Sequence, residues 1–453
     1  MTDYRADEAF ARSLDAADPL AGERANFCIP PARAAIAGDA GVSLAPGVDP
    51  DGPSIYLTGN SLGCMPRSAR AALECELDDW AGLGVEGHLH GKRPWLPYHE
   101  QARAAAARLV GASPREVVVM NSLTVNLHLL MVSFYRPTRD RFKIIIEDSA
   151  FPSDSYAVQS QAAFHAAHAG FDAGAAVVRL KPRVGEHTLR TEDVVTAIAR
   201  EGASLALVMI GGVNYLTGQR MDMAAITRAG QDAGAVVGWD LAHAAGNVPL
   251  SLHEWNVDFA AWCSYKYLNA GPGAIAGAFV HERHVGDRSL PQFAGWWGND
   301  PATRFKMGPE YTPIASADRW QLSNPPILSM TPVVESLAIF DRVGMGVLRA
   351  KAERLTGYME WLIDRVNERS GGGPGGGGGP IEIITPRDPE QRGCALSLVM
   401  HRGPREAFAA LKRHGVICDF REPNVIRAAP VPLYTSFHDV WRFGRVLGEM
   451  AGA

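Results

Sequence analysis

The residue around which chemistry can be built is Lys266, in the stretch C-S-Y-K-Y-L-N-A-G-P-G that runs from Cys263 to Gly273. The apolar run 259–263 reads as a short buried strand that delivers Lys266 onto a turn. A glycine-proline-glycine bend follows, and a second strand-like run, 274–280, closes the unit. An amine held at a strand end between Tyr265 and Tyr267 is partly desolvated, which favours its neutral and nucleophilic form. Such an amine forms a Schiff base with a carbonyl compound. A solvated lysine on a turn is the competing reading, and it loses ground only through what lies upstream.

Upstream stands G-W-D-L-A-H, Gly238 to His243. The run 236–239 reads as a buried parallel strand with Asp240 at its carboxyl end, the edge at which open α/β sheets bind ligands. In pyridoxal phosphate (PLP) enzymes a carboxylate keeps the pyridinium nitrogen protonated while a lysine carries the cofactor. Asp240 and Lys266, each after its own strand, fit those two roles. Taken singly, Asp240 reads equally as a helix N-cap and His243 as a satisfied interior histidine. Tyr265 stands next to the lysine.

The elements that must position these groups alternate. Strands are expected at 117–120, 142–146, 177–180 and 205–210, and helices at 125–134, after Asp154 to about 168, at 192–200 and at 223–232. This β-α-β order implies a largely parallel sheet with helices on both faces. Between 117–120 and the first helix lies Asn121-Ser122-Leu123-Thr124, a polar helix opening suited to a phosphate, with Leu123 and Thr124 as contacts. Simple capping by Asn121 or Ser122 uses the same geometry. Phe151-Pro152-Ser153-Asp154 follows the next strand. Phe151 is placed to stack on a cofactor ring, and Asp154 either bonds the cofactor or caps a helix. The stretch G-V-E-G-H-L-H-G-K-R-P-W, residues 84–95, is too glycine-dense for regular structure and carries His88 and His90 without a carboxylate or cysteine cluster to complete a metal site. No metal is expected. The G-W-W-G-N loop brings Trp296, and S-N-P-P brings Ser323 and Asn324 on a turn that proline bars from helix.

Beyond these, helices are expected at 332–343 and 347–368, strands at 381–385, 395–400, 416–420 and 425–428, and a helix at 405–414. Arg427 lies on the last strand; a planar guanidinium there suits an α-carboxylate, and a surface salt bridge is the alternative. The glycine-rich stretch 370–380 is low-complexity and reads as a loop insertion. The expected division is an N-terminal segment 1–60 contributing to a small domain, a large domain 61–330 and a small α+β domain 331–453.

At 453 residues, with 47% hydrophobic residues, the chain is long enough for two cores. A net charge of −5 gives no electrostatic case for nucleic acid or an anionic membrane. No apolar run reaches the ~20 residues of a membrane helix. Six cysteines without C-x-x-C spacing indicate neither a disulfide framework nor zinc. The polar, acidic opening M-T-D-Y-R-A-D-E has no signal-peptide pattern, so a cytoplasmic location is expected.

In one order, G-N-S-L-G (59–63), G-K-R-P-W (91–95), M-N-S-L-T-V-N-L-H (120–128), F-P-S-D, D-L-A-H, S-Y-K-Y-L-N-A-G, T-R-F-K-M (303–307), S-N-P-P-I-L (323–328) and A-A-P-V-P-L-Y-T-S-F-H-D-V (428–440) resemble the kynureninase family. The resemblance implies PLP-dependent fold type I, the aspartate aminotransferase-like fold, with a mostly parallel seven-stranded sheet. It implies hydrolysis of L-kynurenine or 3-hydroxy-L-kynurenine to L-alanine and an anthranilate. It places Lys266, Tyr265 and Asp240 in catalysis. Leu123, Thr124, Phe151, Pro152, Ser153, Asp154, His243, Trp296 and Asn324 join them around the cofactor. His88, Ser323, Asn324 and Arg427 are placed on the substrate. It further implies a homodimer with Trp296 and Asn324 reaching the neighbouring subunit's site. Many relatives carry a hydroxyl residue in place of Gly211, which is therefore left out of the site. Another fold type I enzyme, an aminotransferase or desulfurase, and a silent PLP-binding protein are the alternatives. Cys263, Cys394 and Cys418, all in strand-like runs, speak against a mobile desulfurase cysteine.

Overall fold

The computed structural model describes residues 3–373 and 377–451, so part of the glycine-rich stretch, 374–376, lies outside the described residues. The chain divides into two compact units. One comprises Ala69–Tyr215 and Arg220–Arg342; the other comprises Met1–Ser68, Leu216–Gln219 and Val343–Ala453.

The first unit is built on a seven-stranded sheet. Its strands are β1 (Val117–Val119), β2 (Lys143–Glu147), β3 (Val177–Leu180), β4 (Leu205–Gly211), β5 (Val236–Asp240), β6 (Phe259–Trp262) and β7 (Gly277–Val280). In space they run β1-β7-β6-β5-β4-β2-β3. All pairs among β2 to β6 are parallel, and β7 is antiparallel to both its neighbours. The strands read as continuous apolar runs because both faces are covered: Val117–Val119 and Phe259–Trp262 are buried at every position. Helices α1 (Leu123–Phe134), α2 (Pro152–Ala169), α3 (Thr191–Glu201) and α4 (Met223–Asp232) return the chain between strands. On one face, Leu127, Leu130, Met131 and Phe134 of α1 pack with Ile144, Ile146 and Phe259.

Two glycines let aromatic side chains lie flat against the sheet. Gly238 pairs in register with Phe259, and a Cβ there would meet the Phe259 ring at 2.2 Å. Gly277 pairs with Trp262, whose indole a Cβ would meet at 2.3 Å. The parallel order has one consequence for function: β2, β4 and β5 end on Glu147, Gly211 and Asp240 along a single edge, and β6 runs out there into the Lys266 turn.

The second unit holds a four-stranded antiparallel sheet of Ile381–Ile383, Leu396–Met400, Val425–Ala428 and Asp419–Arg421, in that order. The helices Met345–Arg369, Pro404–Arg413 and Phe437–Ala451 belong to it. Leu355, Tyr358, Met359, Leu398, Ile426 and Phe443 belong to its core.

Four local expectations are corrected. The run 416–420 is not one strand: Val416–Ile417 pairs parallel with Ile55–Tyr56, while Asp419–Arg421 pairs with Val425–Ala428. The N-terminal segment supplies a partner that local pattern cannot reveal. The helix expected at 332–343 spans Ile327–Val343 and tolerates Pro332 inside it. Proline has no N–H to offer the carbonyl one turn earlier, at Leu328, and Leu328 is exposed. The glycine-dense stretch forms a 3-10 turn, Gly84–Glu86, and a helical turn, Gly87–His90. Buried Glu76 organises it by accepting from Trp95 Nε1 at 2.8 Å and Tyr98 Oη at 2.9 Å and by pairing with Arg93. Tight packing, in which a Cβ on Gly87 would strike Trp95, fixes a backbone that composition leaves free. Finally, the Phe437–Ala451 helix was absent from the expected elements, although Val440, Phe443 and Leu447 recur on one helical face.

Candidate active site

The Lys266 turn is held by its own backbone. Asn269 N donates to Lys266 O at 2.9 Å, Ala270 N to Ser264 O at 3.0 Å, and the Ser264 hydroxyl to Ile275 O. Asn269, Gly271 and Gly273 take φ of 56°, 84° and 74°, so the chain reverses tightly behind the lysine. Lys266 Nζ lies 3.1 Å from His243 Nε2. It also lies 5.7 Å from the centre of the Phe151 ring and 6.0 Å from that of Tyr265. His243 thus meets the lysine rather than serving only the interior.

Beside them lies a group of buried acids. Asp240 closes β5, is buried, and accepts from Ala242 N at 2.6 Å. Asp154 sits in the first turn of α2, where Phe151 holds the N-cap position, so it is not the cap. Burial, then the charge of Asp240 and a hydrogen bond shared with it, push the Asp154 carboxyl well above the usual range; Lys266 pulls it the other way. Buried beside that second carboxylate, Asp154 favours its neutral form. Asp154 Oδ1 is buried without a hydrogen-bond partner. Burial raises the Tyr265 phenol and the Cys263 thiol as well, leaving both neutral at pH 7.

At the opening of α1, Ser122 holds the N-cap position without a side-chain cap bond. Asn121, at φ 49°, turns its amide to Asn126 instead, at 3.0 Å. Side-chain capping therefore does not account for this helix start. Thr124 Oγ1 meets Ser153 Oγ at 2.7 Å, which brings the starts of α1 and α2 together with Leu123 and Pro152 beside them. Two helix N-termini and two hydroxyls form a setting suited to a phosphate.

His88, Trp296 and Asn324 gather elsewhere in the same unit. They line a cleft of about 380 Å³ together with Trp95, Trp297 and Phe305, and Lys266 is not among its lining residues. His88 Nδ1 contacts Val85 O at 2.9 Å, and its ring meets Trp95 edge to face at 5.3 Å. The Trp296 indole N–H donates to Arg304 O at 3.1 Å. Ser323 and Asn324 are exposed. In the other unit Arg427 is buried and forms an ion pair with Asp419, its cross-strand neighbour, so it is not a surface salt bridge.

One cluster of metal-ligating side chains, Glu116, His253 and His281, is a hydrogen-bonded node. Glu116 accepts from Ser113 N and Glu282 N at 2.8 Å and meets His253 Nδ1 at 2.9 Å, while His281 Nδ1 accepts from Arg283 N at 3.2 Å. Its lone pairs are engaged by the protein.

Sequence reasoning overlooked Glu147 and Tyr215. Glu147 closes its strand as Asp240 closes another, and the same argument applied to both would have found it. Tyr215 meets the Phe151 ring edge to face at 5.2 Å, a contact between two loops that carries no sequence signal.

Comparison with known proteins shows the family and the fold. Residues 348–447 match the model of the kynureninase C-terminal domain, and residues 55–369 match that of aminotransferase class-V. A kynureninase of Salinispora tropica is 57% identical over 97% of this chain and 96% of its own length. One of Myxococcus xanthus is 56% identical over 97% and 96%. Among solved structures, a cysteine desulfurase of Escherichia coli superposes with a TM-score of 0.69 at 16% identity, over 95% of this chain and 98% of that one. A cysteine desulfurase of Thermococcus onnurineus gives 0.68 at 17%, over 88% and 95%. At such identities these structures show the fold, type I of the PLP-dependent enzymes, and not the reaction. By sequence identity along nearly its whole length, the chain belongs to the kynureninase family.

Proposed function

We propose that the protein hydrolyses L-kynurenine, or its 3-hydroxy form, to L-alanine and anthranilate or 3-hydroxyanthranilate. The observation that carries this reading is the Lys266 amine, 3.1 Å from His243 at the sheet edge where Asp240 ends its strand. The cofactor is pyridoxal 5′-phosphate, and the residues present fit it. The buried Asp154 Oδ1 lacks a partner, and the Thr124–Ser153 hydroxyl pair sits at the starts of two helices. Bound through Lys266, the cofactor supplies a sink for the electrons released at the substrate's Cα and Cβ.

The chain's own groups do the rest. Leu123, Thr124 and Ser153 would hold the phosphate, and Phe151 and His243 would contact the ring. Asp240 would keep the ring nitrogen protonated. Lys266 Nζ, when free, would take the Cα proton of the substrate. Water adds to the γ-carbonyl carbon, and the Cβ–Cγ bond breaks. Tyr265, neutral by burial, is placed to hand on a proton. Arg427 holds the α-carboxylate. His88, Ser323 and Asn324 frame the aromatic ring, and their polarity supports a preference for the 3-hydroxy substrate. An unchanged preference in His88→Trp would argue against that assignment.

The protein is read as a homodimer in which the cleft of His88, Trp296 and Asn324 completes the site of the partner copy. Exposed Leu89, Phe293, Trp296, Phe305 and Met307 support a covered face. A cytoplasmic location is in keeping with the described residues, where no helix is long and apolar enough to cross a membrane.

The test is a product assay. Purified protein with PLP is given each kynurenine separately, with Lys266→Ala as control. Alanine appearing with the matching anthranilate, and lost in the variant, is expected. A PLP-loaded protein that cleaves neither substrate would refute the reading.

A further inference from the structure

Glu147 has no part in the steps above, yet it sits at their foundation. It ends β2 and is 3% exposed. Its two oxygens face neutral donors at the end of β4 and on the loop that follows it. Gly211 N donates to Oε2 at 2.9 Å and Asn214 Nδ2 to Oε1 at 3.0 Å. Asn214 Nδ2 also reaches Ser149 Oγ, at 3.3 Å, on the loop that follows Glu147 itself. A Cβ on Gly211 would sit 3.4 Å from Glu147 Oε2, in van der Waals contact with this carboxyl.

Each of the two loops so joined carries an aromatic residue. The chain from Glu147 leads within four residues to Phe151, and that from Asn214 leads at once to Tyr215. Their rings meet at 5.2 Å, and Phe151 faces the Lys266 amine at 5.7 Å.

We propose that Glu147 is a positioning residue: its carboxyl group ties the Phe151 loop to the Tyr215 loop and so fixes the aromatic wall beside Lys266. The proposal rests on PLP being bound through Lys266. Glu147 acts here by hydrogen bonding, both of its oxygens accepting from uncharged N–H groups. Its burial and the neighbouring Asp240 raise its carboxyl above the usual range, against the pull of Asn214 and Gly211, which favours the neutral form. Glutamine should therefore replace it, accepting from Gly211 N and donating to Asn214 after a flip of the asparagine amide. Alanine should not.

The holoenzymes of wild type, Glu147→Gln, Glu147→Ala and Asn214→Ala would be compared by the circular dichroism of the cofactor's visible band, which reports its orientation without substrate, and by kcat and KM. In Glu147→Ala the band should weaken and kcat fall on the order of 10²-fold, the cost of an ångström-scale misplacement. Glu147→Gln should stay close to wild type, and Asn214→Ala should move in the direction of Glu147→Ala. Unchanged dichroism and kcat in Glu147→Ala would overturn the proposal. So would a Glu147→Gln enzyme as impaired as the alanine variant, since charge would then be the active property. Should Glu147→Ala fail to fold, an Asn214→Ala enzyme indistinguishable from wild type would overturn it equally. A wild-type protein with no visible band would instead defeat the cofactor reading on which the proposal stands.

Discussion

Gly238→Ala is a one-carbon change that should damage both stability and catalysis. Gly238 is paired in register with Phe259, and an added Cβ would stand 2.2 Å from the Phe259 Cζ. Carbon atoms rest about 3.5–4.0 Å apart, so roughly 1.5 Å of displacement must be found. The ring cannot swing away: Phe259 is wholly buried and stacked on Phe134 at 5.0 Å and 18°. The strain must therefore open β5 from β6. Overpacking of this kind costs about 1–3 kcal/mol, a large share of the roughly 5–15 kcal/mol that holds a domain folded. The opening also falls two residues before Asp240, on the strand beside the one that delivers Lys266. A misplacement of about 1 Å there costs on the order of 10²-fold in rate. Urea unfolding should report the stability loss and the product assay the lost kcat. Gly238→Ala/Phe259→Leu, which removes the ring edge, should recover part of both. A Gly238→Ala enzyme with wild-type stability would refute the steric argument. A stability loss that Phe259→Leu does not relieve would place the strain elsewhere.

His99 should make the fold sensitive to mild acid. Burial, opposed by the charge of Asp318, pushes its imidazole down to about 4. The unfolded chain takes up this proton below about pH 6.5 and the folded one does not, so stability is full above pH 6.5 and declines as pH falls toward 4. Between pH 7 and pH 5 the loss assigned to His99 is about 2 kcal/mol. Urea unfolding of His99→Phe at both pH values should show a correspondingly smaller drop, and an identical drop would contradict the assignment. Arg427→Lys should raise KM for kynurenine about 10- to 100-fold with little change in kcat, since lysine lacks the fork that binds a carboxylate through two bonds. Steady-state kinetics decide it, and an unchanged KM would remove Arg427 from the substrate.

Much of this protein was legible before any coordinates. The apolar runs of β1 to β7 and the helices between them announced a parallel sheet, because strands covered on both faces need no alternation. Asp240 and Lys266 could be read from their places after successive strands, since parallel strands all end at one edge. Elsewhere the reading ran out where the partner of a segment is distant in sequence. Nothing local in 416–420 tells that Val416–Ile417 pairs with Ile55–Tyr56. Nothing in a glycine-dense stretch tells that Glu76 will gather Arg93, Trp95 and Tyr98 and shape it into turns. Likewise the raised carboxyl of Asp154, and the tie from Glu147 to the Tyr215 loop, depend on burial and on distances of a few ångströms. Residue order thus determined which groups exist and which strand ends they occupy, because periodicity and turn chemistry act between neighbours in the chain. Tertiary structure alone decided which of them meet, which are cut off from water and which way their protons are held, because contact and desolvation arise only between segments that folding brings together.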